Sequence, residues 1–151
     1  MGKSHASIDF PFSTDDRPPT LKRVGISVSG VLDGDALYDA LCDSAYVDAI
    51  TYSFSAMAGV QYRRIMVGTG HGPNNAIHVS GTHAKLYITY DKRDRPTAYI
   101  GSMNAVSPTL FELVVQLNQK QSKAMAEWFE EVWKLNNPNY AKCRKNTKTS
   151  H

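Results

Sequence analysis

The sequence predicts an α/β layer fold, with strands in the centre and at least two helices packed outside them. Three observations carry this expectation. The middle of the chain is a series of short β-branched and aromatic runs separated by turn residues, an amphipathic helical repeat begins at Asp33, and a second repeat lies near the C-terminus. The length of 151 residues suits one domain with a real core and is too short for two ordinary ones. With 42% hydrophobic and 21% charged residues, the composition excludes a wholly disordered chain.

Residues 1–20 contain prolines and little periodicity and read as an N-terminal arm. The folded domain is expected over 21–137. Val24–Ser29 (VGISVS) reads as a first strand ending at Gly30. From Asp33, Ala36, Leu37, Ala40 and Leu41 recur at helical spacing while Asp35, Asp39 and Asp43 line the opposite side, the pattern of an amphipathic helix. Val47–Phe54 (VDAITYSF) has the composition of a strand, as does Tyr62–Val67 (YRRIMV). Residues 68–76 (GTGHGPNNA) cannot hold a regular element and read as a loop. Strands follow at Ile77–Ser80, Ala84–Tyr90, Thr97–Gly101 and Phe111–Asn118, with DKRDRP as a hairpin connection in which Pro96 cannot donate to a ladder. Met125, Trp128, Phe129, Val132 and Trp133 then form the apolar stripe of a terminal helix. Asn118 and Gln121 spell a capping box at its start, and Asn136-Asn137-Pro138 stops it. Residues 138–151 read as a basic, disordered tail.

No apolar run approaches the roughly 20 residues that span a bilayer, and no secretory leader is evident, so a cytoplasmic protein without a membrane partner is expected. Cys42 and Cys143 are too few and too far apart for a disulfide framework or a metal cluster, and Cys42, set among alanines and leucines, reads as a small core residue. The net charge is +3, and Lys142, Arg144, Lys145 and Lys148 sit in an acid-free tail. Between residues 61 and 95, Arg63, Arg64, Lys85, Lys92, Arg93 and Arg95 face only Asp91 and Asp94. A polyanion would be drawn to that region and repelled by the acidic run Asp33, Asp35, Asp39, Asp43 and Asp48.

The chemistry concentrates in residues 81–104 (GTHAKLYITYDKRDRPTAYIGSMN). On a strand over Ala84–Tyr90, period 2 places His83, Lys85, Tyr87 and Thr89 on one face and Leu86, Ile88 and Tyr90 on the other. An H-x-K triplet there presents an imidazole beside an ammonium. The ammonium can hold a phosphate oxygen while the imidazole attacks phosphorus or donates a proton. The next strand ends in Gly101-Ser102-Met103-Asn104, where the glycine permits close backbone approach and Ser102 and Asn104 offer neutral donors to the same phosphate. Glu112 opens the following strand, and a carboxylate there could fix the tautomer of a neighbouring imidazole. His71 and His78 have no carboxylate or cysteine at ligand spacing and read as loop and strand histidines. An H-x-K triplet alone is a common accident and G-S-x-N, though rarer, can be a simple turn; both on adjacent predicted strands, with a glutamate on the next, are a different matter.

The pair H83-x-K85 and G101-S102-x-N104 resembles the signature of the phospholipase D superfamily, H-x-K-x4-D followed by G-S-x-N. A short chain with one copy is similar to its single-motif bacterial endonuclease branch and to metal-independent restriction-endonuclease catalytic domains. The likeness covers residues 77–134 and is only topological before them. The sequence departs from the signature at the aspartate: Tyr90 stands four residues past Lys85's neighbour, and Asp91, one further on, reads as a turn residue.

The resemblance implies a phospholipase D-like domain with a central mixed β-sheet flanked by helices, and a metal-independent phosphodiesterase without cofactor. It implies a homodimer whose two H-x-K motifs meet on the two-fold axis. One His83 would form a phosphohistidine and the other would protonate the leaving oxygen. Lys85, Ser102 and Asn104 would stabilise the phosphorane, with Glu112 beside them. The basic run and tail favour nucleic acid, DNA ahead of RNA, and a non-specific or weakly specific endonuclease. A phospholipid or nucleotide phosphodiesterase is the alternative, as is a non-catalytic nucleic-acid-binding dimer of the same fold.

Overall fold

A computed structural model describes residues 28–69, 72–73, 75–79, 82–106 and 112–137. The expected N-terminal arm and basic tail, His71 and Cys143 lie outside the described residues, as does most of the strand expected at Val24–Ser29. The elements run β1 (Val28–Asp33), α1 (Gly34–Asp43), β2 (Tyr46–Thr51), β3 (Tyr62–Val67), β4 (Ile77–His78), β5 (Leu86–Tyr90), β6 (Pro96–Gly101), β7 (Leu113–Leu117) and α2 (Gln119–Asn136). The strands form one mixed sheet in the order β1-β7-β6-β5-β2-β3-β4. β2 and β3 are parallel, as are β3 and β4, and the other pairs are antiparallel. The chain is therefore α/β, as the sequence predicts.

Each face of the sheet is covered by one helix. On one side Leu37 and Leu41 of α1 pack with Val47, Ala49, Tyr87, Tyr99 and Val114. On the other, Phe129 and Val132 of α2 pack with Ile50, Met66, Leu86, Ile88 and Leu117. The alternation expected along β5 holds, with Tyr87 towards α1 and Leu86 and Ile88 towards α2. Both faces of this central strand are buried.

Local capping sets the helix starts. The Asp33 carboxylate accepts from Ala36 N at 2.9 Å, satisfying an amide that the first turn leaves without a helical partner. Asn118 does the same for Gln121 N at 2.9 Å, one half of the expected capping box. Among the described residues no helix is long and apolar enough to cross a membrane.

The strand boundaries depart from expectation where distant partners intervene. β1 continues through Gly30 to Asp33 because Leu113–Leu117 offers it a ladder, and one glycine at a sheet edge costs less than those bonds return. β2 stops at Thr51, not Phe54. There the Thr51 hydroxyl turns back to donate to the Ser53 carbonyl at 2.7 Å, and Phe54 is left with an isolated bridge to Ala105. β5 begins at Leu86, so His83 and Lys85 stand on the segment leading into it and not on the ladder itself. Pro96 opens β6, a position where its missing N–H is tolerated.

Half of the basic residues of the expected basic region are neutralised from within. The register of β2 and β3 slips between Val47 and Asp48, a bulge that leaves Arg63 and Arg64 together opposite one carboxylate. Arg63 Nε and Arg64 Nε lie 3.0 and 3.2 Å from Asp48 Oδ1, and their terminal nitrogens 2.5 and 2.6 Å from Oδ2. Arg64 also binds Glu130 of α2, whose carboxyl its guanidinium holds below the ordinary value. Arg63 lies over the stacked rings of Tyr46 and Tyr90, and Arg64 over Phe129 and Trp133. Asp48 itself, expected in an acidic surface run, is fully buried.

In the β5–β6 hairpin Asp91 is the organising turn residue. Its carboxylate accepts from the amides of Arg95 (3.0 Å) and Arg93 (2.8 Å) and from Arg95 Nε (2.8 Å), bonds that hold its carboxyl below the usual range. Asp94 takes the left-handed backbone the turn needs, φ 58°. Of the basic side chains expected to attract a polyanion, Arg63, Arg64 and Arg95 are thus bound to carboxylates, while Lys92 and Arg93 are exposed on the hairpin.

Candidate active site

Strand direction decides which residues can meet. β5 runs against both β2 and β6, and β7 runs against β6. The start of β5 therefore shares an edge of the sheet with the ends of β2, β3 and β6 and with the start of β7. That edge gathers Thr51, Tyr52, Gly68, His83, Lys85, Ser102, Asn104 and Glu112. Asp91 and the hairpin lie at the opposite edge, along with the arginine cluster at the start of β3.

His83 and Lys85 are side by side. Lys85 Nζ lies 3.2 Å from His83 Nδ1 and 3.5 Å from Nε2. The two ring nitrogens point in diverging directions, so one ammonium at nearly equal distance from both is not aligned with either lone pair. The contact is proximity more than a directed bond, and it leaves the ammonium able to turn to an incoming anion. The exposed imidazole packs against the Tyr52 ring, with centroids 5.0 Å apart and planes inclined at 46°.

Asn104 is held from several sides. Ser53 N and Thr51 Oγ1 each lie 3.3 Å from its Oδ1. A backbone N–H can only donate, so the atom facing it is the amide oxygen and Nδ2 remains a donor for a ligand. The segment carrying Asn104 is pinned as well: the Tyr87 hydroxyl donates to Met103 O at 2.7 Å, Ala105 N donates to Thr51 Oγ1 at 2.9 Å, and Ser55 N donates to Ala105 O at 2.7 Å.

Ser102 and Glu112 form a pair that the sequence reading did not foresee. The Ser102 hydroxyl donates to the Glu112 carboxylate, while its oxygen accepts from Leu113 N at 3.2 Å. A serine has one hydroxyl proton. With that proton on Glu112, Ser102 is not free to donate to a phosphate until the carboxylate releases it. The backbone joins the pair: Ser102 N donates to Leu113 O at 3.1 Å.

Gly101 makes this approach possible, though the neighbour it admits is β7 and not a ligand. A Cβ there would stand 2.3 Å from Leu113 O and 2.8 Å from Val114 Cα, both backbone atoms that cannot swing aside. Gly101→Ala is therefore expected to part β6 from β7 and cost about 2 kcal/mol of stability. A urea melt checks this; a midpoint equal to wild type would mean that the strands separate without penalty.

The five residues nominated from the sequence thus fall on one edge in two linked groups, His83 with Lys85 and Ser102 with Glu112, with Asn104 tied to the β2 corner. What the sequence reading missed is that corner, Thr51-Tyr52-Ser53. Its signal was three polar or amphipathic residues in a row at the end of an otherwise apolar strand. Among the described residues no cluster of His, Cys, Asp and Glu could hold a metal ion. Compared with models of protein families, with curated proteins and with solved structures, the chain has no significant match.

Proposed function

We propose that this chain is a phosphodiesterase of the phospholipase D type, working without a metal ion as a homodimer, and most at home on DNA. The observation that carries the reading is the meeting, on one sheet edge, of an exposed imidazole, an ammonium 3.2 Å away and an amide whose N–H groups are left to donate. In the first step a His83 nitrogen attacks phosphorus and the ester bond to the leaving oxygen breaks. His83 of the second copy gives that oxygen a proton. The same imidazole, now neutral, takes a proton from water; the water oxygen attacks phosphorus, the P–N bond breaks and both histidines are restored. Lys85 and Asn104 from both copies hold the extra charge on the phosphorane oxygens. Glu112 keeps Ser102 in place by accepting its hydroxyl hydrogen bond.

Chelation and subunit mixing test this. Plasmid DNA is expected to be nicked at the same rate with and without EDTA. After subunit exchange, an equimolar mixture with His83→Ala is expected to give about half the activity of its wild-type chains alone, because mixed dimers lack one imidazole. Nicking that vanishes in EDTA and returns with magnesium overturns the metal-independent mechanism, and a mixture that retains full activity overturns the shared site.

A second reading, a nucleotide or phospholipid phosphodiesterase, draws on the neutralisation of Arg63, Arg64 and Arg95, which removes much of the charge that would attract a polyanion. Faster turnover of bis-p-nitrophenyl phosphate or phosphatidylcholine vesicles than of DNA or RNA would favour it.

A further inference from the structure

We propose that the corner Thr51-Tyr52-Ser53 is the positioning element of the site, with Tyr52 orienting the His83 imidazole and Ser53, its backbone held by Thr51, orienting the Asn104 amide. The inference rests on the phosphodiesterase reading and assigns to that site residues outside its motifs. Tyr52 is 39% exposed, so its ring is not there to fill the core. It lies instead against the imidazole at 5.0 Å. Its backbone is clamped to the end of β3, where Gly68 N donates to Thr51 O at 2.9 Å and Thr69 N to Tyr52 O at 2.8 Å.

Gly68 is the floor beneath both rings' supports. A Cβ there would come within 3.0 Å of the Tyr52 ring and 2.2 Å of the carbonyl of Thr82, the residue before His83. Tyr52 and the entry to His83 are therefore packed over the same bare stretch of backbone. His83 precedes the ladder of β5, so strand pairing does not immobilise it, and the aromatic contact supplies the restraint that pairing would have given.

Thr51 completes the device. Its side chain is fully buried, accepts from Ala105 N and donates to Ser53 O, so it cannot turn away. With its one proton on Ser53 O it has none for Asn104 Oδ1, which accepts from Ser53 N at 3.3 Å; Thr51 acts by fixing the Ser53 and Ala105 backbone on either side of that amide. One rigid corner thus sets the attacking ring and an amide that receives the developing charge. Misplacing a reacting group by about an ångström can cost about a hundredfold in rate.

The test uses the full chain, bis-p-nitrophenyl phosphate as substrate, and the variants Tyr52→Ala, Tyr52→Phe, Thr51→Val and Thr51→Ser. Tyr52→Ala is expected to lower kcat by about ten- to a hundredfold with KM within about twofold, and Tyr52→Phe, which keeps the ring, to stay within about twofold of wild type. Thr51→Val is expected to lower kcat about tenfold and Thr51→Ser to restore it. Carbon-13 relaxation at His83 Cε1–H reads the ring's order without any turnover, and that order should fall in Tyr52→Ala but not in Tyr52→Phe. If the wild type hydrolyses no diester while the relaxation behaves as expected, the phosphodiesterase reading fails and the orienting contact stands. An unchanged ring order in Tyr52→Ala, an unchanged kcat in that variant of an active enzyme, or equal loss in Tyr52→Phe overturns the positioning role.

Discussion

His83→Ala is expected to lower phosphodiester hydrolysis by at least about a thousandfold, the scale on which removing a nucleophile acts in covalent catalysis. The loss is large because the single substitution acts twice in a symmetric dimer: it removes the attacking nitrogen and the acid that protonates the leaving oxygen. Only the charge stabilisation by Lys85 and Asn104 would remain. The fold should not suffer, since the ring is exposed and its aromatic contact is with Tyr52 at the surface. Initial rates on plasmid DNA and on bis-p-nitrophenyl phosphate, alongside a thermal melt, make the measurement. A variant that melts like wild type, binds DNA and cleaves nothing supports the nucleophile; one that retains a tenth of the activity removes His83 from the chemistry. Binding without cleavage in the wild type itself would instead favour a non-catalytic nucleic-acid-binding dimer.

Asp48→Ala is expected to be the most destabilising single change among the charged residues. Asp48 is fully buried and receives two guanidinium groups, one of them, Arg64, with only 15% of its side chain exposed. Removing the carboxylate leaves Arg64 with Glu130 as its one remaining carboxylate partner among the described residues and Arg63 with none, and breaking a buried pair in this way costs about 3 kcal/mol. For a domain of this size that is a fall in melting temperature of about 10 °C. Arg63→Ala should cost far less, because the Arg63 side chain is 40% exposed and its loss leaves Asp48 still paired with Arg64. Calorimetry of the two variants checks the order; equal losses would mean that the bulge, and not the charge pairing, holds β2 to β3. The same cluster is acid-sensitive. Arg64 depresses the Glu130 carboxyl in the folded state, so its contribution is complete above the unfolded value of 4.5 and is lost as the pH falls through the lower folded value. Stability should therefore decline below pH 4.5, and less steeply in Glu130→Gln.

What could be read directly from the residues was local. The α1 repeat, the α2 stripe with its Asn118 cap, and the β3 limits Tyr62–Val67 all follow from side chains within a few positions of one another. Alternation and helical spacing are properties of the backbone's own geometry, and a cap needs a partner only three residues away. The short motifs were legible for the same reason: H-x-K and G-S-x-N each lie within one turn or strand end.

The tertiary structure decided what depends on partners far along the chain. Thr51 faces Asn104 across a sequence separation of 53, and Arg64 reaches Glu130 across 66. No periodicity records such pairs. Neither the neutralised arginines nor the Tyr52 contact with His83 could be foreseen until strand order and direction were known. Composition and spacing specified the elements and the chemically able residues. Only the antiparallel placement of β5 between β2 and β6 brought those residues to one edge, because a strand's direction is chosen by long-range ladder bonds and by burial on both faces of the sheet.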